Sequence, residues 1–462
     1  MKQANPTKAS PEHSRYGGQR GHRIVFVTGK GGVGKSVVAA ATALQFARRG
    51  QNVLLAEMGR HEQALVDFER LQEMTVDFAD GLANWAPSLR ALGRIEESTQ
   101  ITERALKLSP NHLSALLNKA VMLNDLGRYE DALEVFDVAL AHDAGNPMLQ
   151  LNSCYALFLL GRYEQGWAAY EYRWKIRIKG KLNTPLNHGL PQWNGEPLKG
   201  RTIYVYPEQG MGDAIQFMRY LPMLARDAKA VLFQLHDVLA PMASNLPANC
   251  RLIAPGETIT GADYSCALLS LPGLFKTTID NVPAAVPYLI ADPQAISKWE
   301  ARLGPRRAKL RVGLVWSGNR EHSNDHNRSI ALEKIRSLAP GGIEYFSLQK
   351  ELRDSDQAAL AAWPDMQHFG DELQTFMDTA ALACLMDLVI SVDTSVAHLA
   401  GALARPLWIL LPFVPDWRWA VGRDDTPWYP TARLFRQSDR GDWGGVVSRL
   451  CDAIRDRIPK TI

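Results

Sequence analysis

The stretch Leu388–Pro412, LVISVDTSVAHLAGALARPLWILLP, decides the fold. An apolar run closes at Asp393, a helix-forming segment opens near Ser395, and a second apolar run fills 405–412. Two short, continuously apolar runs joined by a helix suit a parallel β-α-β unit, whose strands are covered on both faces and need no polar alternation. Open sheets of this kind bind ligands outside the C-terminal ends of their strands. Asp393, Thr394 and Ser395 therefore stand where a ligand would sit. The helix starting there offers backbone donors and a positive dipole end to an anion. His398 follows about one turn later, within reach of a phosphate or ribose, or else as a structural histidine of the helix.

The same grammar repeats on either side. RTIYVYPEQGMGDAIQFMRYLPML (201–224) reads strand, glycine loop, helix, with Gln209, Gly210 and Gly212 in the loop and Asp213 just after it. LRVGLVWSGN (310–319) ends in the small loop Ser317, Gly318 and Asn319, suited to the close approach of a phosphate. IEYFSLQKE (343–351) carries Gln349 and Lys350 to a strand end, where contacts to a nucleotide base or ribose would fall. Lys350 reads equally well as a solvated surface charge. Two Rossmann-like domains are expected, 201–292 and 293–462, after a linker at 179–200. Trp316, Trp417, Trp419 and Trp428 read as packing residues rather than platforms for a sugar ring. Asp424-Asp425 is not a DxD motif, and no metal site is expected.

Five ordered motifs resemble TPR-linked, heptosyltransferase-like glycosyltransferases: PEQGMGDAIQFMRYLP, SLPGLF with VPYL, VGLVWSGNREHSNDHNRSI, FSLQKE, and VDTSVAHLAGALARPLWILLP. That resemblance implies the GT-B architecture and metal-independent, inverting transfer from a nucleotide-diphospho-sugar. It makes Asp213 the base that deprotonates the acceptor hydroxyl. A second reading of Asp213 stands beside it, a carboxylate that satisfies free N–H groups at the helix start. The resemblance also assigns 393–398 to the donor and puts Arg328 at the family's basic position for the diphosphate, where lysine is common. The sugar, the base and the acceptor are not legible.

Upstream, Gly-Arg recurs at 59–60, 93–94, 127–128 and 161–162, a spacing of 34. Small residues follow at Ala64, Ser98, Ala132 and Gly166, and aromatics at Phe68, Phe136 and Tyr170. A period of 34 with these offsets resembles the tetratricopeptide (TPR) repeat, a helix-turn-helix unit of an α-solenoid. Repeats are expected over 58–178, presenting a face to a peptide or protein partner or bracing the next domain.

The N-terminus adds a third element. Ile24–Thr28 is a short apolar run, and GKGGVGKS follows over 29–36. Gly29, Gly31, Gly32 and Gly34 would turn backbone N–H groups toward phosphate oxygens, Lys35 would neutralise them and Ser36 would bind Mg²⁺. The stretch resembles the deviant Walker A region of the partition, septum-site and arsenite-pump ATPases, in which the extra lysine, here Lys30, reaches a partner's nucleotide. Residues 22–57 hold only this fragment, with no Walker B aspartate in a plausible setting, and Val53–Glu57 is claimed both by a second strand and by a first repeat helix. Mg-ATP is thus a cofactor only if the loop is functional.

Bulk properties bound the rest. The 52 basic and 49 acidic residues leave a net charge of +3, too even for a dense nucleic-acid-binding face. Five scattered cysteines without ligand spacing fit reduced thiols in a cytoplasmic protein. No apolar run reaches membrane-span length. Residues 1–21 are polar and read as a disordered tail. Two rival functions remain: a TPR scaffold with an inactive transferase domain, and a phosphate-loop switch that dimerises on ATP.

Overall fold

Each Gly-Arg turn that the structure covers has one physical cause. Gly93, Gly127 and Gly161 adopt φ of 75°, 75° and 74°, a left-handed conformation that side chains resist. The following arginine N–H then closes back on a carbonyl five residues earlier: Arg94 to Leu89 at 2.9 Å, Arg128 to Leu123 at 2.9 Å, Arg162 to Leu157 at 2.8 Å. This double-back satisfies carbonyls that a helix end leaves open and reverses the chain. The computed structural model describes residues 78–457 apart from 179–180, 183–184, 187, 323 and 337–340. The tail, the phosphate loop and the turn at 59–60 lie outside the described residues.

The chain divides into two units, 1–122 and 123–462. In the first, α1 (Ala79–Ala91) and α2 (Ile95–Leu108) form a helical hairpin. Its core is Leu82, Ala86, Leu89, Ile101 and Ala105. The small residue of the repeat pattern works here as expected: Ser98 is buried and its hydroxyl donates to the Ala86 carbonyl at 2.8 Å across the hairpin. Helix α3 (Leu113–Asp125) carries the chain across the boundary.

In the second unit α4 (Tyr129–His142), α5 (Pro147–Leu159) and α6 (Tyr163–Tyr170) continue the repeats. Asn146 starts α5 by accepting from the Met148 and Leu149 N–H groups, with Pro147 in the first turn, where no donor is missed. Next comes a four-stranded parallel sheet of β1 (Thr202–Tyr206), β2 (Ala230–Phe233), β3 (Cys250–Leu252) and β4 (Tyr264–Ala267). Helix α7 (Met211–Phe217) follows β1. After α8 (Pro293–Leu303) a six-stranded parallel sheet contains β5 (Leu310–Val315), β6 (Ile343–Ser347), β7 (Met366–His368), β8 (Leu388–Val392), β9 (Leu407–Leu411) and β10 (Ala432–Arg436). Helix α9 (Ser395–Ala402) joins β8 to β9. The fold is thus a TPR-like helical region followed by two Rossmann-like domains of the GT-B kind.

Strand order fixes where ligands can enter. The small sheet runs β3-β2-β1-β4 and the large one β10-β9-β8-β5-β6-β7. Winding reverses between β1 and β4, and between β5 and β8. Doubly wound sheets open a crevice at those reversals, beyond the strand ends.

The repeats are built into this unit. Phe158 of α5 and Trp167 of α6 stand 4.4 Å apart, and Phe158 lies 4.5 Å from Trp417, which follows β9. Trp167 donates its indole N–H to the Thr277 carbonyl at 2.9 Å, and the Tyr155 hydroxyl donates to the Pro415 carbonyl. One apolar core runs from α5 and α6 through both sheets.

Candidate functional site

Two helix starts meet where the crevices open. A Cβ built on Gly212 would lie 3.0 Å from His398 Cδ2 and 3.5 Å from the Ser395 Cα. Only the missing side chain lets α7 and α9 approach so closely, and this contact places Asp213 beside the end of β8.

Asp213 is the third residue of α7. Its Oδ2 accepts from the Gly210 N–H at 3.0 Å, so the helix-start role weighed from sequence is occupied. Its Oδ1 accepts from Arg418, which also donates to Asp416 Oδ1 at 2.8 Å and to Gln216 Oε1 at 2.5 Å. Burial raises the Asp213 carboxyl above the usual range, and the Arg418 charge works against it. Gln209 makes other contacts: its side-chain amide N–H donates to the Tyr170 hydroxyl at 3.3 Å, and its backbone carbonyl meets His236 Nε2 at 3.0 Å.

In the large sheet, β5 leads through Trp316 into Ser317, Gly318 and Asn319. Gly318 makes room for Arg328, since a Cβ there would lie 2.4 Å from a guanidinium nitrogen. Arg328 Nη1 donates to the Asp393 carbonyl at 3.0 Å and so reaches from the β5 loop to the end of β8. The Ser317 hydroxyl and Arg328 Nε are buried and make no hydrogen bond among the described residues. Gln349 is buried, and its side-chain oxygen accepts from the Ser317 N–H at 3.3 Å, a brace for the loop. Asn319 accepts from the Glu321 N–H at 3.0 Å and shapes the turn. Lys350 is exposed beyond the strand end.

Around α9, Thr394 precedes the first turn, and no side chain caps that start. The Thr394 hydroxyl pairs with that of Ser391 at 3.1 Å. Burial raises the Asp393 carboxyl to about 6, with the Asp416 charge adding to the effect. His398 is buried, its Nδ1 is 2.9 Å from the Tyr429 hydroxyl and its ring stacks on Trp419 at 5.3 Å. Burial, then the charges of Arg418, Arg219 and Arg328, push the imidazole well below its usual value. Burial also holds the Tyr429 phenol well above its own, so it stays protonated and fit to donate to Nδ1. His398 is therefore a neutral residue whose Nε2 faces Asp393 Oδ1 at 4.0 Å.

Asp213, Arg328, Asp393, Thr394, Ser395 and His398 come together, while Gln349 and Asn319 support the loop and Lys350 stands apart. Trp316, Trp419 and Trp428 are fully buried, in keeping with packing roles. Sequence motifs did not single out Arg418 and Asp416. The one signal was Asp416-Trp417-Arg418-Trp419, a charged pair among tryptophans in the loop that follows a buried strand. Among the described residues no helix is long and apolar enough to cross a membrane.

A family profile described as anion-transporting ATPase matches residues 22–58, outside the described residues. Protein FlbA of Caulobacter vibrioides is 25% identical over 322 residues, 63% of this chain and 52% of FlbA. The chain thus spans about half the length of that curated relative. Among solved structures, a family 9 glycosyl transferase from Veillonella parvula shows 10% identity and a TM-score of 0.42, covering 57% of this chain and 99% of its own. The ADP-heptose heptosyltransferase II of E. coli shows 12% identity and a TM-score of 0.38, covering 56% and 98%. MamA of Desulfovibrio magneticus matches with 21% identity and a TM-score of 0.23, covering 30% and 72%.

Proposed function

We propose that this chain is an inverting, metal-independent glycosyltransferase that moves a sugar from a nucleotide-diphospho-sugar to an acceptor hydroxyl. The observation that carries the reading is the Gly212–His398 contact, which sets the half-buried Asp213 carboxylate beside an uncapped helix start and Arg328. In the reaction the acceptor oxygen bonds to the anomeric carbon from the face opposite the leaving group. Its proton passes to Asp213, and the carbon–oxygen bond to the diphosphate breaks with its electron pair on the diphosphate. Developing negative charge there needs fixed positive partners. Arg328, the Ser395 helix start and the Ser317 hydroxyl provide them. The proposed setting is the cytoplasm, in keeping with the scattered, unpaired cysteines, and the repeats recruit an acceptor protein or partner.

Thermal unfolding against ADP-, GDP-, UDP- and dTDP-sugars in EDTA tests this. A donor at about 100 times its Kd adds roughly 2.7 kcal/mol, a shift of a few degrees. One sugar nucleotide is expected to raise the midpoint; no response to any of the four, with or without Mg²⁺, refutes the reading. The ATPase-profile match over 22–58 favours an additional reading, ATP binding at the phosphate loop. In that case Mg-ATP raises a midpoint in the wild type and not after Lys35→Ala.

A further inference from the structure

The guanidinium of Arg418 is held from three sides. Its nitrogens meet Asp213, Asp416 Oδ1 at 2.8 Å and Gln216 Oε1 at 2.5 Å. The loop that presents it is anchored in turn: Asp416 accepts from the Arg418 N–H at 3.0 Å, and Trp417 sits in the aromatic cluster with Phe158 and Trp167. A carboxylate in such a pair is a poor base, because its lone pair is committed and its charge compensated. Arg418 also lies close enough to act electrostatically on Asp393 and His398, the residues flanking the α9 start. Beside it the Gln216 Nε2 is buried and makes no hydrogen bond among the described residues, a donor with room for one more acceptor. One cation therefore serves both the base and the place where a diphosphate would lie.

We infer that Arg418 is a switch ligand: it restrains Asp213 while the donor site is empty and transfers to the donor's diphosphate when that binds, releasing Asp213 to act. A diphosphate offers the planar guanidinium paired oxygens of higher charge than a carboxylate, the geometry arginine holds best. Donor binding then precedes activation of the acceptor, and an acceptor arriving first meets a restrained base. The inference rests on the transferase reading above, for the identity of the diphosphate.

Inorganic pyrophosphate is the probe, titrated calorimetrically into the full chain as wild type, Arg418→Gln, Asp213→Asn and the double variant. Arg418→Gln is expected to weaken binding at least tenfold. Asp213→Asn is expected to tighten it three- to tenfold, because Arg418 no longer has to leave a carboxylate. That gain is expected to vanish when Arg418 is already glutamine. A gain equal in both backgrounds means simple charge repulsion and overturns the inference. So does wild-type affinity in Arg418→Gln, or no pyrophosphate binding in both wild type and Asp213→Asn. Arg418→Lys, which keeps the charge but not the fork, is expected to fall between and serves if the glutamine variant does not fold. Coupling without any sugar-nucleotide response would leave the switch and remove the transferase; the reverse result would remove only the switch.

Discussion

Phe158→Ala tests whether the last repeat hairpin and the two sheets are one cooperative body. Phe158 is 1% exposed and is flanked by Tyr163 at 5.7 Å, Trp167 at 4.4 Å and Trp417 at 4.5 Å. A Cβ on Gly166 would fall 2.5 Å from its ring, so the ring fills its niche completely. Truncating a ring so enclosed costs about 3–5 kcal/mol, lost burial and residual cavity together. For the unit 123–462, about 2.1 cal/mol/K per residue gives an unfolding entropy of about 0.7 kcal/mol/K. The midpoint of its transition should therefore fall by about 4–7 °C in differential scanning calorimetry, as one shifted peak. A shift under about 2 °C, or a new small peak with the main one unmoved, would refute the shared core. Because Trp417 adjoins Arg418, pyrophosphate binding should weaken in the same variant below its midpoint.

Three other outcomes follow from the site. Gly212→Ala forces a methyl against His398, whose ring is pinned by Tyr429 and Trp419. It should cost about 1–3 kcal/mol and depress turnover with the identified donor more than it depresses donor affinity. Asp213→Asn should lower turnover by roughly 10²–10⁴-fold. In the wild type, activity should fall as pH drops through the raised carboxyl value, and that acid limb should move upward in Arg418→Lys if the fork is what opposes the rise. Asp393 is the clearest case for stability: its folded value of about 6 exceeds the ordinary 3.8, so folding favours its protonated form. The resulting penalty is absent below pH 4 and complete above pH 6. Asp393→Asn should thus stabilise the protein at pH 8 and leave it unchanged at pH 3.5, measured by denaturant unfolding. A gain independent of pH would contradict the assignment.

Much of this was legible because it is local. The period of 34 shows in single Gly-Arg pairs, since each turn needs its own left-handed glycine. Five of the ten strands of the two sheets, β1, β5, β6, β8 and β9, show as short apolar runs, and Asp393 to His398 are legible because a strand end and a helix start adjoin in sequence. The Arg418–Asp213 pair spans 205 positions, and nothing near either residue announces the other. Gln349 illustrates a second limit: its place at a strand end was clear, but whether its amide meets a ligand or braces Ser317 depends on the rotamer and the neighbouring loop. The tryptophans could be read as core because indole rings are large, whereas the arginine between two of them carried no periodicity at all.

The aromatic joint at Phe158, Trp167 and Trp417 has a practical consequence for anyone recombining this protein. A tether that merely displays partner-binding repeats could be cut and exchanged at its last helix. Here the last hairpin is masonry of the neighbouring domain, so a graft made at residue 170 would expose a tryptophan-rich scar beside the site. An exchange upstream of residue 123 leaves that joint whole.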